Sequence, residues 1–238
     1  MSIKFTLEVP TELEGITLRQ YQKYLKLIKD NDGEESLDFM NLKLIEIFCK
    51  TSLKEANSIP LKDFDPIINH INSLFQEQTP LQMDITMKDL QGNSLKFGFI
   101  PKLDEMSMGE FVDLDSFITD WDNMHKAMAV LYRPITFERN GTYLIEDYDA
   151  SDKYYEVMKD MPLNVALGAM VFFYRLGNEL LKTTIHSLQK QMENKKSPVL
   201  NGLEKSGDGI SQFTHSLKEM LKELEKLPSY HSNNVLYG

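Results

Sequence analysis

The chain has 238 residues, 42% of them hydrophobic and 26% charged, enough to bury a sizeable core in one large domain or one domain with appendages. Its net charge of −10 is unevenly placed, with 9 Lys/Arg against 7 Asp/Glu from Met161 onward and 17 against 29 before it. So acidic a body repels phosphate backbones and disfavours broad nucleic-acid binding, while a single cysteine, Cys49, excludes an intramolecular disulfide framework.

Ile3–Val9 alternates apolar and polar residues as a strand does and stops at Pro10. Thr17 with Gln20 three residues on forms a capping-box pattern and opens a helix with Leu18, Tyr21, Leu25 and Ile28 on its apolar face. Asp30–Gly33 ends it, and a second helix follows from about Ser36 to Lys50. Ser52 with Glu55 caps a short third one. Asp65-Pro66 is expected to start a fourth, because proline is welcome at the first helical position. Its stripe is Ile67, Ile68, Ile71, Leu74 and Phe75.

From Met83 the period changes to two. Met83–Met87, a turn at Gln91-Gly92-Asn93 and Leu95–Ile100 predict a hairpin closed by Pro101. Ser107 and Glu110 form another capping box, opening a helix through Phe111, Leu114, Phe117 and Ile118. A further segment with Met124, Met128 and Leu131 runs to a stop at Pro134. Ile135–Glu138, Asn140-Gly141 and Thr142–Ile145 predict a second hairpin, since Asn-Gly suits both positive-φ positions of a tight turn. After a short helix near Asp152–Lys159, Pro162 opens the longest one, to about Lys195; its first half is apolar nearly all round and so belongs at the centre. Gly168 and Gly177 inside it point to close approach of a neighbour or to a kink.

The fold class expected is therefore α+β, predominantly α-helical: a helical core with two β-hairpins and a tethered C-terminal helix. Residues 1–196 form the body, with hairpins near 83–100 and 135–146. Residues 197–211 (SPVLNGLEKSGDG within them) have a linker's composition, and 212–238 hold a docking helix and tail. In that last part Phe213, Leu217, Met220, Leu221, Leu224 and Leu227 recur at helical spacing, and Tyr237 lies in an apolar tail. These seven are the candidate interaction residues, for a partner surface or for the chain's own core.

No metal or cofactor is expected. His70, His125, His186, His215 and His231 make no zinc-ligand pair, and Cys49 sits in an apolar run as a buried thiol would. Asp113, Asp115, Asp120 and Asp122 attract notice as a cation cluster. A calcium loop counted from Asp113 would need glycine where Ile118 stands and glutamate where Met124 stands, so a solvated acidic face is the better reading. Trp121 reads as a partly buried anchor. No phosphate-binding glycine loop or nucleophile elbow is present, so no enzymatic activity is expected. The longest apolar run, Met161–Tyr174, is short of the roughly 20 residues a bilayer requires. It has no secretory pattern in front of it either, so a soluble protein that does not meet a membrane is expected.

Three runs, FTLEVPTELEGITLRQYQKYLKL, FGFIPKLDEMSMGEFVDLDSFITDWDNMHKAMAVLYRPI and MPLNVALGAMVFFYRLGNELLK, resemble a virion protein of the crAss-like bacteriophages over roughly Ile3–Gln191. The resemblance implies a viral structural protein located in the virion, at the phage tail or portal vertex, assembled in the host cytoplasm. Its implied partners are other virion proteins (portal, ring, tail hub or muzzle), most simply in a homo-oligomeric ring. Cargo ejected with the genome and a tail assembly chaperone are the alternatives. It defines no functional residues.

Overall fold

A computed structural model describes residues 6–31 and 36–193. The fold is α+β and mostly helical, with one four-stranded antiparallel sheet. Residues 6–10 carry no strand, so the described part of the expected Ile3–Val9 strand is extended chain only. Leu7 and Val9 pack on the core while Thr6 and Glu8 face out, which preserves the alternation without a pairing partner.

Helix α1 (Leu18–Asn31) begins where the sequence places it. Gln20 Oε1 accepts from Thr17 N–H (2.9 Å) and the Thr17 hydroxyl from Gln20 N–H (3.3 Å), the reciprocal cap. Two more of its orphan donors are met from far along the chain: Leu18 N–H donates to Met161 O and Arg19 N–H to Lys159 O. The first turn of α1 is thereby fastened to the segment that introduces the last helix.

Helices α2 (Leu37–Phe48), α3 (Leu53–Ala56) and α4 (Leu61–Leu74) follow. Ser36 caps α2, and Ser52 with Glu55 makes a full capping box on α3. The start of α4 differs from expectation. It begins at Leu61, one turn early, so Pro66 lies inside the helix. Pro60 O accepts from both Asp63 and Phe64 N–H, and Phe64 packs on the core. The rest of that turn is exposed, so the packing of Phe64 and the bonds to Pro60 O are what offset the hydrogen bond that Pro66 cannot donate.

Strands β1 (Asp84–Lys88) and β2 (Ser94–Phe99) form the first hairpin. Helix α5 (Met108–Ile118) starts at the Ser107/Glu110 capping box. Helix α6 (Met124–Leu131) then passes straight into β3 (Tyr132–Arg139), which pairs with β4 (Thr142–Ile145). Pro134 therefore does not stop a helix; it sits in a strand that begins two residues before it. Phe97 lies opposite Pro134, and Phe99 opposite Tyr132. This pairing joins the two predicted hairpins into one sheet, in the order β1-β2-β3-β4. Asn140 and Gly141 take φ values of +52° and +76°, as a tight turn requires.

Helix α7 (Tyr155–Met158) is short, and α8 (Leu163–Glu193) is the longest. Leu163, Val165, Ala166, Ala169 and Met170 are at most 1% exposed, so the first half of α8 is central. At Gly168 an added methyl would lie 2.5 Å from the Pro80 carbonyl oxygen; close approach of backbone explains that glycine. Aromatic contacts tie the layers together: Tyr21 meets the edge of Trp121 at 4.9 Å, and Phe48 meets Tyr24 and Phe75.

Candidate interaction surface

The seven candidate contact residues, Phe213, Leu217, Met220, Leu221, Leu224, Leu227 and Tyr237, lie outside the described residues. The two expected hairpins stand together in the sheet, with β1 and β4 at its margins among the described strands. On β3 and β4, Phe137 and Leu144 face each other across the ladder and remain 55% and 59% exposed. A bulge between Ile135 and Phe137 sets this arrangement: without it Phe137 would turn inward with Ile135, opposite Tyr143, whereas Leu144 alternates with the inward Tyr143 and Ile145 and faces out in either case.

Helix α5 carries a second apolar surface. Met108, Phe111 and Val112 are exposed and lie three and four residues apart, hence on one face. The sequence pattern places Phe111 with Leu114 on the buried stripe; the structure turns it outward. The cause is Glu110, which takes the inward place. Its carboxylate accepts from Ser107 N–H and from Arg133 Nη2, both at 2.6 Å, and both members of the ion pair are buried. A charge held inside by a cap and a partner on β3 rotates the helix against its hydrophobic period.

The acidic residues do not converge. Asp113 accepts a hydrogen bond from the Tyr148 hydroxyl. Asp120 accepts from Asp122 N–H (3.0 Å) and Asn123 Nδ2 (2.7 Å), Asp122 sits 4.0 Å from Lys29, and Asp115 faces solvent. Each has a separate local task or none, and among the described residues no three His, Cys, Asp or Glu side chains are grouped to hold a metal ion. Trp121 is buried, and its carbonyl accepts from Gln22 Nε2 at 2.6 Å. His125 is buried too, its Nδ1 3.1 Å from Gln22 Nε2. Burial, helped by the Lys159 and Lys126 charges, lowers its pKa to about 4. His70 is exposed and 2.9 Å from Pro10 O. The side chains of His186, His215 and His231 lie outside the described set. Burial pushes the Cys49 thiol up to about 11, which makes it a poor nucleophile.

One feature escaped sequence reasoning altogether. Between α1 and the C-terminal end of α2 lies an open pocket of about 330 Å³ whose charged walls are Arg19, Lys23, Lys50 and Glu46. Its floor is Gln20, held by its bond to Ile47 O (2.7 Å). Glu46 is bound by Lys43 at 2.7 Å, so the pocket's charge is cationic within an acidic chain. The only sequence signal is the periodic exposure of Arg19, Lys23 and Lys26 on one side of α1.

Among the described residues no helix is long and apolar enough to cross a membrane. No family model matches the chain, and no curated protein or solved structure is similar to it.

Proposed function

We propose that the chain is a non-enzymatic structural protein of a bacteriophage virion, a ring or adaptor subunit of the portal–tail assembly that works through subunit–subunit contacts. The resemblance to crAss-like phage virion proteins supplies the biological setting. The observation that carries an assembly role is the exposed apolar pair Phe137–Leu144 on the hairpin, with the Met108–Phe111–Val112 ridge on α5 as further contact surface. Large side chains at 46–73% exposure in these two places are what a protein-binding face presents to its partner. Partners are other virion proteins and neighbouring copies of the chain. A ring closed by rotation uses two different surfaces on every copy.

Quantitative mass spectrometry of purified particles tests this reading. A copy number fixed at a multiple of the portal's symmetry is the expected result, and absence from mature particles refutes it in favour of an assembly chaperone. Truncation after Lys196 is expected to leave a folded body that no longer assembles; normal particles from the truncated chain would remove the C-terminal segment from the contacts. One observation favours a cargo protein ejected with the genome as the second reading. Met124, Met128, Met158, Met161 and Met170 are all completely buried, and a core so rich in flexible thioethers suits unfolding and repacking. An irregular copy number would select it.

A further inference from the structure

We propose that the cationic pocket between α1 and α2 receives the acidic β4–α7 loop, residues 147–152, of a second copy of this chain. The inference rests on the assembly reading above and names one of its contacts. Each side carries charge that the chain itself leaves unmatched. In the pocket, Arg19 is held by Asp160 (2.8 Å) and Glu156 (3.4 Å), whereas Lys23 and Lys50 have no carboxylate partner among the described residues. In the loop, Asp147, Asp149 and Asp152 are exposed; Asp147 and Asp152 have no cationic partner among the described residues, and Asp149 feels Lys153 only at a distance, without an ion pair. In a chain of net charge −10, copies repel one another unless a local match of opposite sign offsets the repulsion.

The loop is built to keep its shape. Ser151 N–H donates to Asp149 Oδ1 (3.0 Å), and Tyr155 N–H donates to Asp152 O (3.0 Å). Behind it, Lys153 Nζ and the Tyr154 hydroxyl both bond to Glu146, at 2.8 and 2.5 Å. Ala150 is held at φ +56°, a conformation alanine rarely adopts. A loop already ordered loses little entropy when it docks. The pocket, at about 330 Å³, has room for one or two carboxylate side chains above Gln20. Charge–charge contacts of this kind set register and partner choice, while the apolar faces on the hairpin and α5 supply area.

Sedimentation velocity of the full chain at low and high salt reads the contact. The natural chain is expected to self-associate, less so as salt rises. Lys23→Glu with Lys50→Glu is expected to weaken association on the order of tenfold or more, as is Asp147→Lys with Asp152→Lys. Combining all four reversals is expected to restore association to within about threefold of the natural chain, because the pair is matched again with its signs exchanged. The milder Lys23→Gln with Lys50→Gln, at exposed positions that leave the fold intact, is expected to weaken association without reversing charge. Association indifferent to the reversals, or unrecovered in the fourfold variant, overturns this contact and leaves the assembly reading standing. A natural chain that stays monomeric at every concentration overturns the contact as well, and copy counting in particles then decides the assembly reading by itself.

Discussion

The ring of Tyr143 on β4 lies directly over Gly98 on β2, so close that a methyl group at Gly98 would sit 2.5 Å from Tyr143 Cε2 and 3.0 Å from Ile135 Cγ1. The same tyrosine reaches across β2 and its hydroxyl donates a shared hydrogen bond to the carbonyls of Phe99 (2.7 Å) and Met83 (2.8 Å). One side chain from the second hairpin thus ties the end of β2 to the residue that leads into β1. Gly98→Ala is expected to cost about 1–3 kcal/mol in denaturant unfolding, the range for overpacked sites. Tyr143→Leu removes the obstacle, so the double variant should be less damaged than the sum of the singles. Strict additivity would refute the contact.

The buried pair Glu110–Arg133 joins the first turn of α5 to β3 at 2.6 Å. Burial opposes ionisation of Glu110, but the Ser107 bonds and the Arg133 charge prevail and hold its pKa below the usual carboxylate value. Glu110→Ala strands the guanidinium and dissolves the capping box, so a loss of about 3–5 kcal/mol is expected. Glu110→Leu with Arg133→Met, which removes both charges, should recover most of that loss. Equal damage in the two variants, measured by urea unfolding, would show that the cap alone matters.

Local chemistry made much of this fold readable in advance. The boxes Thr17/Gln20, Ser52/Glu55 and Ser107/Glu110 each name their own helix start, because cap and backbone partner lie three residues apart. Both hairpins follow from alternation and turn residues. What failed depended on distant partners. The early start of α4 comes from Phe64 finding the core, the outward Phe111 from Glu110 meeting Arg133, and the single sheet from β2 meeting β3. The pocket of Arg19, Lys23 and Lys50 was invisible for the same reason, since its walls come from helices whose packing no local pattern encodes. The exposed pair Phe137–Leu144 hinges on a bulge, which adds one residue and leaves no mark in composition.

Backbone strain in the acidic loop gives a gain rather than a loss. Ala150 at φ +56° pays the steric cost of a left-handed conformation, which glycine adopts freely. Ala150→Gly is expected to raise stability by up to about 1 kcal/mol, the left-handed penalty less the added entropy of the unfolded chain. Thermal unfolding checks it. A lower melting temperature would mean that the methyl group makes a contact worth more than the strain.

His125 gives the fold a pH dependence of determined sign. Its imidazole is buried against Gln22 and the ring of Tyr155, and the surrounding charges are Lys159, Lys126 and Arg19, opposed by Glu156. With a folded pKa of about 4 against an ordinary value of 6.5, the native state releases a proton that the unfolded chain keeps. The contribution is fully present above about pH 6.5, is lost as pH falls toward 4, and changes no further below that. Integrated over the window it amounts to on the order of 3 kcal/mol. Carboxylates with lowered values, Glu110 among them, titrate mainly below this range, so unfolding measured between about pH 4.5 and 7 reads histidine titration apart from theirs, and a variant assigns it to His125. His125→Gln keeps a polar partner for Gln22 and is expected to flatten the profile across that interval. If the variant retains the full slope, another group carries the acid sensitivity and the imidazole is not held neutral by burial.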